Sequence, residues 1–177
     1  MIKKAVVVGG SGFIGSHVAD HLSDAGYQVT IYDKTKSQWL RNDQEIIIGD
    51  VEDSEKLNQA IVDAEVVYNF AALADINQAL EQPLKTININ IVGNLNVLEA
   101  CRANKVKRFI YASTVYVHSR EGGFYRCSKQ AGELYIEEYQ KRYGLDFTIL
   151  RFGTLYGPRA DVRNSICHFL QSGLDSG

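Results

Sequence analysis

Four consecutive apolar residues, Ala5 to Val8, run without a break into Gly9-Gly10-Ser11-Gly12-Phe13-Ile14-Gly15. A strand that is apolar throughout must be buried on both faces, which happens in a parallel sheet covered by helices. Gly9, Gly12 and Gly15 then answer three steric demands: a tight turn off the strand, close approach of a ligand to the backbone, and close packing of helix on sheet. From Phe13 the apolar positions Ile14, Val18 and Leu22 recur at helical spacing, and Gly26 supplies a left-handed helix end. The helix start aims free N–H groups and the positive end of its dipole at the turn, so an anion is expected there.

The same alternation continues. Gln28 to Tyr32 reads as a strand ending at Asp33, and Glu45 to Ile48 as a third ending at Gly49-Asp50. Asp53-Ser54 caps a helix through Leu57 and Ile61, followed by a strand from Val66 to Phe70. Ile87, Ile89 and Ile91 alternate as in a strand, whereas Leu84, Ile87, Ile91, Leu95 and Leu98 fit a helix. Pro83 suits a helical first turn and the pattern persists to about Cys101, so a helix is expected. Lys107 to Ala112 and Phe147 to Leu150 read as the fifth and sixth strands around a helix from Tyr125 to Tyr143. This order specifies an α/β fold, a doubly wound parallel sheet with helices on both faces.

The 177 residues suffice for one domain or for one domain and the start of another. A net charge of −2 leaves no basic excess for nucleic acid, and no apolar run reaches the length of a membrane span, so the cytoplasm is the expected location. Cys101, Cys127 and Cys167 form no close pair and are expected to be buried and inert, with neither a disulfide nor a metal site.

At the end of the second strand stands Asp33, where a ribose-binding carboxylate belongs. With the glycine turn it points to a pyridine dinucleotide. A negative charge there disfavours the 2′-phosphate of NADP, so NAD is the expected cofactor, while Lys34 and Lys36 soften the preference.

Further markers follow in order: Asp50-Val51, Phe70-Ala71-Ala72, Asn90 within Pro83-x6-Asn90-x2-Gly93, Ser113-Thr114, Tyr125-x3-Lys129 and Tyr156-Gly157-Pro158-Arg159. From Met1 to about Arg159 the chain resembles the extended short-chain dehydrogenase/reductases, specifically their nucleotide-sugar epimerase/dehydratase branch, whose fold is of the Rossmann type. The resemblance implies that Asp50 and Val51 contact adenine, that Phe70, Ala71, Ala72 and Leu73 line the dinucleotide path with Ala112 beside it, and that Asn90 supports the nicotinamide end. It makes Thr114, Tyr125 and Lys129 the catalytic set, with Ser113 as a competing hydroxyl, and it implies a homodimer through the helices containing Leu95 and Tyr135.

The pairing of Tyr125 with Lys129 has its own physical logic. A free phenol titrates near 10, and bringing it to about 7 takes roughly 4 kcal/mol. One ammonium at about 4 Å, in an effective dielectric of about 20, supplies about that much. Residues four apart share a helix face, so Lys129 is expected to reach both the phenol and the cofactor ribose. The phenolate then takes a proton from a substrate hydroxyl as hydride leaves its carbon.

Several positions depart from the family pattern. Val115 and Tyr116 stand where dehydratases carry an acidic residue, which weakens a dehydratase reading. The segment from Val115 to Phe124 is short, His118-Ser119 replaces Tyr-Gly, and Thr154 stands where an Asn is usual. Residues 1–155 are expected to form the NAD-binding domain and 156–177, where Ile166, Phe169 and Leu170 begin a helix, the start of a truncated substrate-binding region. The chain is therefore expected to be a fragment. The leading expectation is a 4-epimerase of a nucleotide sugar, UDP-linked, working through transient oxidation to a keto sugar. The alternatives are an NAD(P)-dependent sugar or alcohol dehydrogenase or reductase, and a non-catalytic dinucleotide-sensing module.

Overall fold

The computed structural model describes residues 3–160 and 165–175. Its strands are β1 (Lys4–Val8), β2 (Gln28–Asp33), β3 (Gln44–Ile48), β4 (Val66–Asn69), β5 (Arg108–Thr114) and β6 (Asp146–Phe152). The helices are α1 (Phe13–Asp24), α2 (Ser54–Ile61), α3 (Ile76–Glu81), α4 (Pro83–Ile87), α5 (Gly93–Ala103), α6 (Gly123–Tyr143) and α7 (Ser165–Asp175). The six strands form one sheet in the order β3-β2-β1-β4-β5-β6, with every pairing parallel. The expected doubly wound sheet is what the chain forms.

Strand residues alternate between two cores. Val6, Val8, Val67 and Phe109 face Leu57 and Ile61 of α2, Leu98 of α5 and Ile136 of α6. Ala5, Val7, Val29 and Ile31 face Ala19 and Leu22 of α1. Both sides of β1 are thereby dry, as its uninterrupted apolar run requires. Strand order reverses direction between β1 and β4, and in such sheets the crevice outside the strands' carboxyl ends at this point holds ligands.

Local chemistry sets the element ends. Gly26 takes φ +83 after α1, and Asp53 caps α2 by accepting a hydrogen bond from the Lys56 N–H at 3.0 Å. The helix expected from Pro83 to Cys101 is continuous to Ala103 but contains a π-helical turn, Asn88–Val92, between α4 and α5. That widened turn accompanies two buried amides: Asn90, which is hydrogen-bonded off the helix, and Asn94, whose Oδ1 accepts from Asn69 Nδ2 at 2.9 Å while its own Nδ2 has no partner. Helix α3 and the 3-10 turn Val115–His118 had no periodic signal; Asp75 caps α3 through the Gln78 N–H. Helix α7 extends to Asp175, past the polar stretch expected to trail off from Ser172.

The expectation of buried thiols holds for Cys101 and fails for Cys127, which is exposed because the residue two positions after Tyr125 lies on the outer face of α6. The side chain of Cys167 lies outside the described residues. Among the described residues, no helix is long and apolar enough to cross a membrane, and no cluster of metal-ligating side chains occurs.

Candidate active site

The glycine turn is built by contact as much as by conformation. Gly9 has φ +78, and a Cβ there would lie 2.5 Å from the Ala71 nitrogen. A Cβ on Gly15 would lie 2.3 Å from the Gly9 oxygen, so α1 starts directly against the turn. Gly12 offers no side-chain cap to α1, leaving the first-turn N–H groups of Phe13, Ile14 and Gly15 without helical partners. An anion at that position would be met by amides and the helix dipole together.

Asp33, at the end of β2, accepts hydrogen bonds from the backbone N–H of Ser11 and of Thr35, each at 3.0 Å, and Ser11 Oγ donates to the Thr35 carbonyl at 2.8 Å. The carboxylate braces the glycine turn as well as facing the cleft. That cleft, about 680 Å³, is lined by Gly9, Gly12, Phe13, Asp33 and Lys34 on one side. Asp50, Val51, Phe70, Ala71, Ala72 and Leu73 line the other. A second cavity of about 410 Å³ shares Gly9, Gly12, Phe13, Phe70 and Ala72 with it, and is closed by Ile14, Gly15, Ala112, Thr114, Tyr125 and Lys129. The two are halves of one groove, and the free amides, the carboxylate and the glycine surface fit the pyrophosphate and ribose of a dinucleotide.

Asn90 is the exception among the residues expected to bind the dinucleotide: it is buried and lines neither cavity. Its Oδ1 accepts from the Leu73 N–H at 2.7 Å, and its Nδ2 donates to the Leu73 carbonyl at 3.1 Å and to Ser128 Oγ at 2.9 Å. Three of its four hydrogen-bonding positions are thereby taken inside the protein. Asn90 thus ties the loop after β4 to α6.

The two candidate hydroxyls differ in their hydrogen-bond partners. Both residues border the cavity, but Ser113 Oγ donates to Glu133 at 2.5 Å, while Thr114, at the end of β5, hydrogen-bonds with the Tyr125 phenol. Burial raises the Tyr125 phenol above its ordinary range, a hydrogen bond with Thr114 pulls it down, and the nearby Tyr116 phenol pushes it up. Lys129 is 2% exposed, and burial lowers its ammonium to about 7 against the opposing pull of Glu133. Its Nζ donates to the Ala112 carbonyl at 2.7 Å, 4.6 Å from the Tyr111 ring centroid and 5.9 Å from that of Tyr125. In this arrangement burial is the largest influence on both groups, raising the phenol and lowering the ammonium, which donates to a carbonyl rather than to the phenol.

Sequence reasoning missed the carboxylate behind this pair. Glu133 accepts from Arg151 Nε at 3.0 Å and Nη2 at 2.7 Å in addition to Ser113. Its spacing of four from Lys129 on α6 was the available signal.

The NAD dependent epimerase/dehydratase family matches residues 5–175. The chain belongs to this family. It is 32% identical to a putative UDP-glucose 4-epimerase of Methanocaldococcus jannaschii over 89% of its own length and 58% of that relative's. Among solved structures, a UDP-N-acetylglucosamine 4-epimerase from Methanobrevibacter ruminantium M1, in complex with UDP-N-acetylmuramic acid, superposes with a TM-score of 0.90 at 30% identity, covering 99% of this chain and 64% of that one. The Thermus thermophilus UDP-glucose 4-epimerase in complex with NAD gives a TM-score of 0.83 at 32% identity, over 92% and 58% respectively. The chain thus spans rather more than half the length of the relatives it matches.

Against that family background, the departures noted in the sequence have definite places. Val115 is exposed and lines neither cavity, whereas Tyr116 and Thr154 both line the cavity that holds Tyr125. His118 ends the 3-10 turn on the surface.

Proposed function

We propose that the protein is an NAD-dependent 4-epimerase of a nucleotide sugar, UDP-linked by analogy with the relatives named above, and that residues 1–155 hold the dinucleotide while 156–177 open the substrate-binding region. One observation carries the reading: Thr114, Tyr125 and Lys129 converge in a cavity continuous with the cleft under the glycine turn. Bound NAD would supply the hydride acceptor and donor.

The protein's own groups handle the proton. Tyr125, as phenolate, accepts the proton of the sugar hydroxyl, and the Thr114 hydroxyl, on the same wall, hydrogen-bonds the same oxygen and keeps it in line. Tyr125 returns that proton when the other face of the carbon is reduced. Generating the phenolate requires the Lys129 ammonium to swing from the Ala112 carbonyl toward the phenol, since burial alone holds the phenol protonated. The lack of a carboxylate at positions 115 and 116 leaves no second acid or base of that kind for dehydration.

We extend the proposal to a cytoplasmic homodimer. Leu84, Ile87, Leu134 and Tyr135 on α4 and α6 are exposed, and burying such residues against a second copy would recover their apolar area. Incubating the intact protein with NAD and UDP-glucose, UDP-N-acetylglucosamine or UDP-glucuronate tests the activity by proton NMR. The expected product is the 4-epimer with no accumulation of NADH; stoichiometric NADH with an oxidised sugar would make the protein a dehydrogenase, and no turnover of any nucleotide sugar would reject the reading.

A further inference from the structure

Tyr125, Lys129 and Glu133 lie four residues apart along one stripe of α6, running from the cavity into the interior. Ser113 on β5 and Arg151 on β6 are direct partners in the parallel register, and the next pair, Thr114 and Phe152, lines the cavity. Glu133 joins both members of the first pair, at 2.5 Å to Ser113 Oγ and at 3.0 and 2.7 Å to the Arg151 guanidinium. One carboxylate therefore fastens α6 to two strands one residue below the hydroxyl expected to hold the substrate. Ser113 is also the immediate neighbour of Ala112, whose carbonyl holds the Lys129 ammonium at 2.7 Å.

We propose that Glu133 is a positioning residue for the reaction: by joining α6 to Ser113 and Arg151 it sets the height of Tyr125 and Lys129 against Thr114, and one helical turn from Lys129 its negative charge opposes the effect of burial on the ammonium. The charged and titratable groups around this pair can be named. Lys129 faces the Tyr111 ring from β5, the Tyr125 ring from its own helix, and Glu133. Glu133 faces Arg151 from β6 and His118 from the 3-10 turn, and Glu137 acts on Arg151. Burial favours the neutral acid at Glu133, and the Arg151 and Ser113 hydrogen bonds reverse this, holding the carboxyl below its ordinary range. A buried lysine needs such a partner, because desolvation otherwise strips its proton.

The role assigned to Lys129 rests on the proposed function, but the charge coupling can be read without turnover. In the intact protein, with lysine side chains labelled with carbon-13 and the Lys129 signal identified by its loss in Lys129→Met, the Lys129 titration is followed by NMR. Glu133→Gln is expected to move it down by about one pH unit. Arg151→Gln leaves the carboxylate but removes its neutralising cation, and is expected to move the titration up by about half a unit. Glu133→Asp, which keeps the charge, should restore it to within about half a unit of the wild type. Opposite signs for the first two variants support the inference, and they are not what general loosening of the fold produces. An unchanged titration in both, or a shift of the same sign in both, overturns it. Should Glu133→Gln fail to fold, the upward shift in Arg151→Gln decides alone. The coupling found with no epimerisation would reject the proposed activity and leave the pairing standing.

Discussion

At the scale of single residues, the proposed function separates groups expected to touch ligand from groups that act through others. Tyr125 belongs to the first kind. Tyr125→Phe removes one oxygen from a half-buried ring, so NAD affinity should change less than about threefold while kcat falls by about 10²- to 10⁴-fold, the usual worth of a positioned acid or base. Titration calorimetry and a turnover assay on the same preparation check both halves. Asp33 belongs to both kinds, since it faces the cleft and also holds Ser11 and Thr35. Asp33→Ala should weaken NAD by about 10- to 100-fold, the value of hydrogen bonds to a charged group. NADP should lose less, because the same change removes a repelled charge; equal losses measured by fluorescence titration would confine Asp33 to bracing the turn.

Lys129 carries a pH signature of definite sign. Its ammonium titrates near 7 in the fold against 10.5 ordinarily, so between those values the unfolded chain binds more protons. Stability should therefore rise with pH across that window, by up to about 1.4 kcal/mol per pH unit, with the contribution complete above 10.5 and lost below 7. Urea midpoints from pH 7 to pH 10 should show this rise in the wild type and a flatter line in Lys129→Met.

At the scale of elements, the proposed chemistry is organised by α6 leaning on β5. Gly132 permits this approach: a Cβ there would lie 2.4 Å from the Tyr111 hydroxyl, a buried oxygen with no hydrogen-bond partner. Gly132→Ala should cost about 1–3 kcal/mol through overpacking, offset by about 1 kcal/mol of helix propensity. Adding Tyr111→Phe should return part of the loss, because it removes the nearest obstructing atom and no hydrogen bond while the ring carbon Cζ, 2.9 Å from the added Cβ, remains; thermal unfolding of the single and double variants measures it. The elements themselves were legible where one period persisted, as in β1, α1 and α6. Helix α3 was not, because six residues are too few for periodicity to show, and the π-helical turn was not, because it accompanies contacts of the Asn90 amide and the Asn94 Oδ1 with residues distant in sequence. The glycine turn and the Tyr125-Lys129 spacing were legible because both are local. The Ser113–Glu133–Arg151 bracket joins three elements and became visible only once strand register placed Ser113 opposite Arg151.

At the scale of the molecule, alternating strands and helices dictated the parallel sheet, and its reversal between β1 and β4 placed the groove. The sign of the Lys129 and Tyr125 shifts escaped sequence reasoning because both depend on burial, which spacing along a helix does not report. The exposed apolar residues of α4 and α6 predict a dimer, so sedimentation of the intact protein should give twice the monomer mass and Tyr135→Glu should return it to monomer. In the proposed function, cofactor, chemistry and substrate all depend on the amide-rich start of α1 holding a pyrophosphate. Titration calorimetry of NAD into the intact protein tests this most directly, with Gly15→Val as the control because its side chain would enter the space of the Gly9 carbonyl. One saturable site per chain in the wild type, and none in the variant, is the predicted result; a wild-type protein with no affinity for the dinucleotide would contradict it.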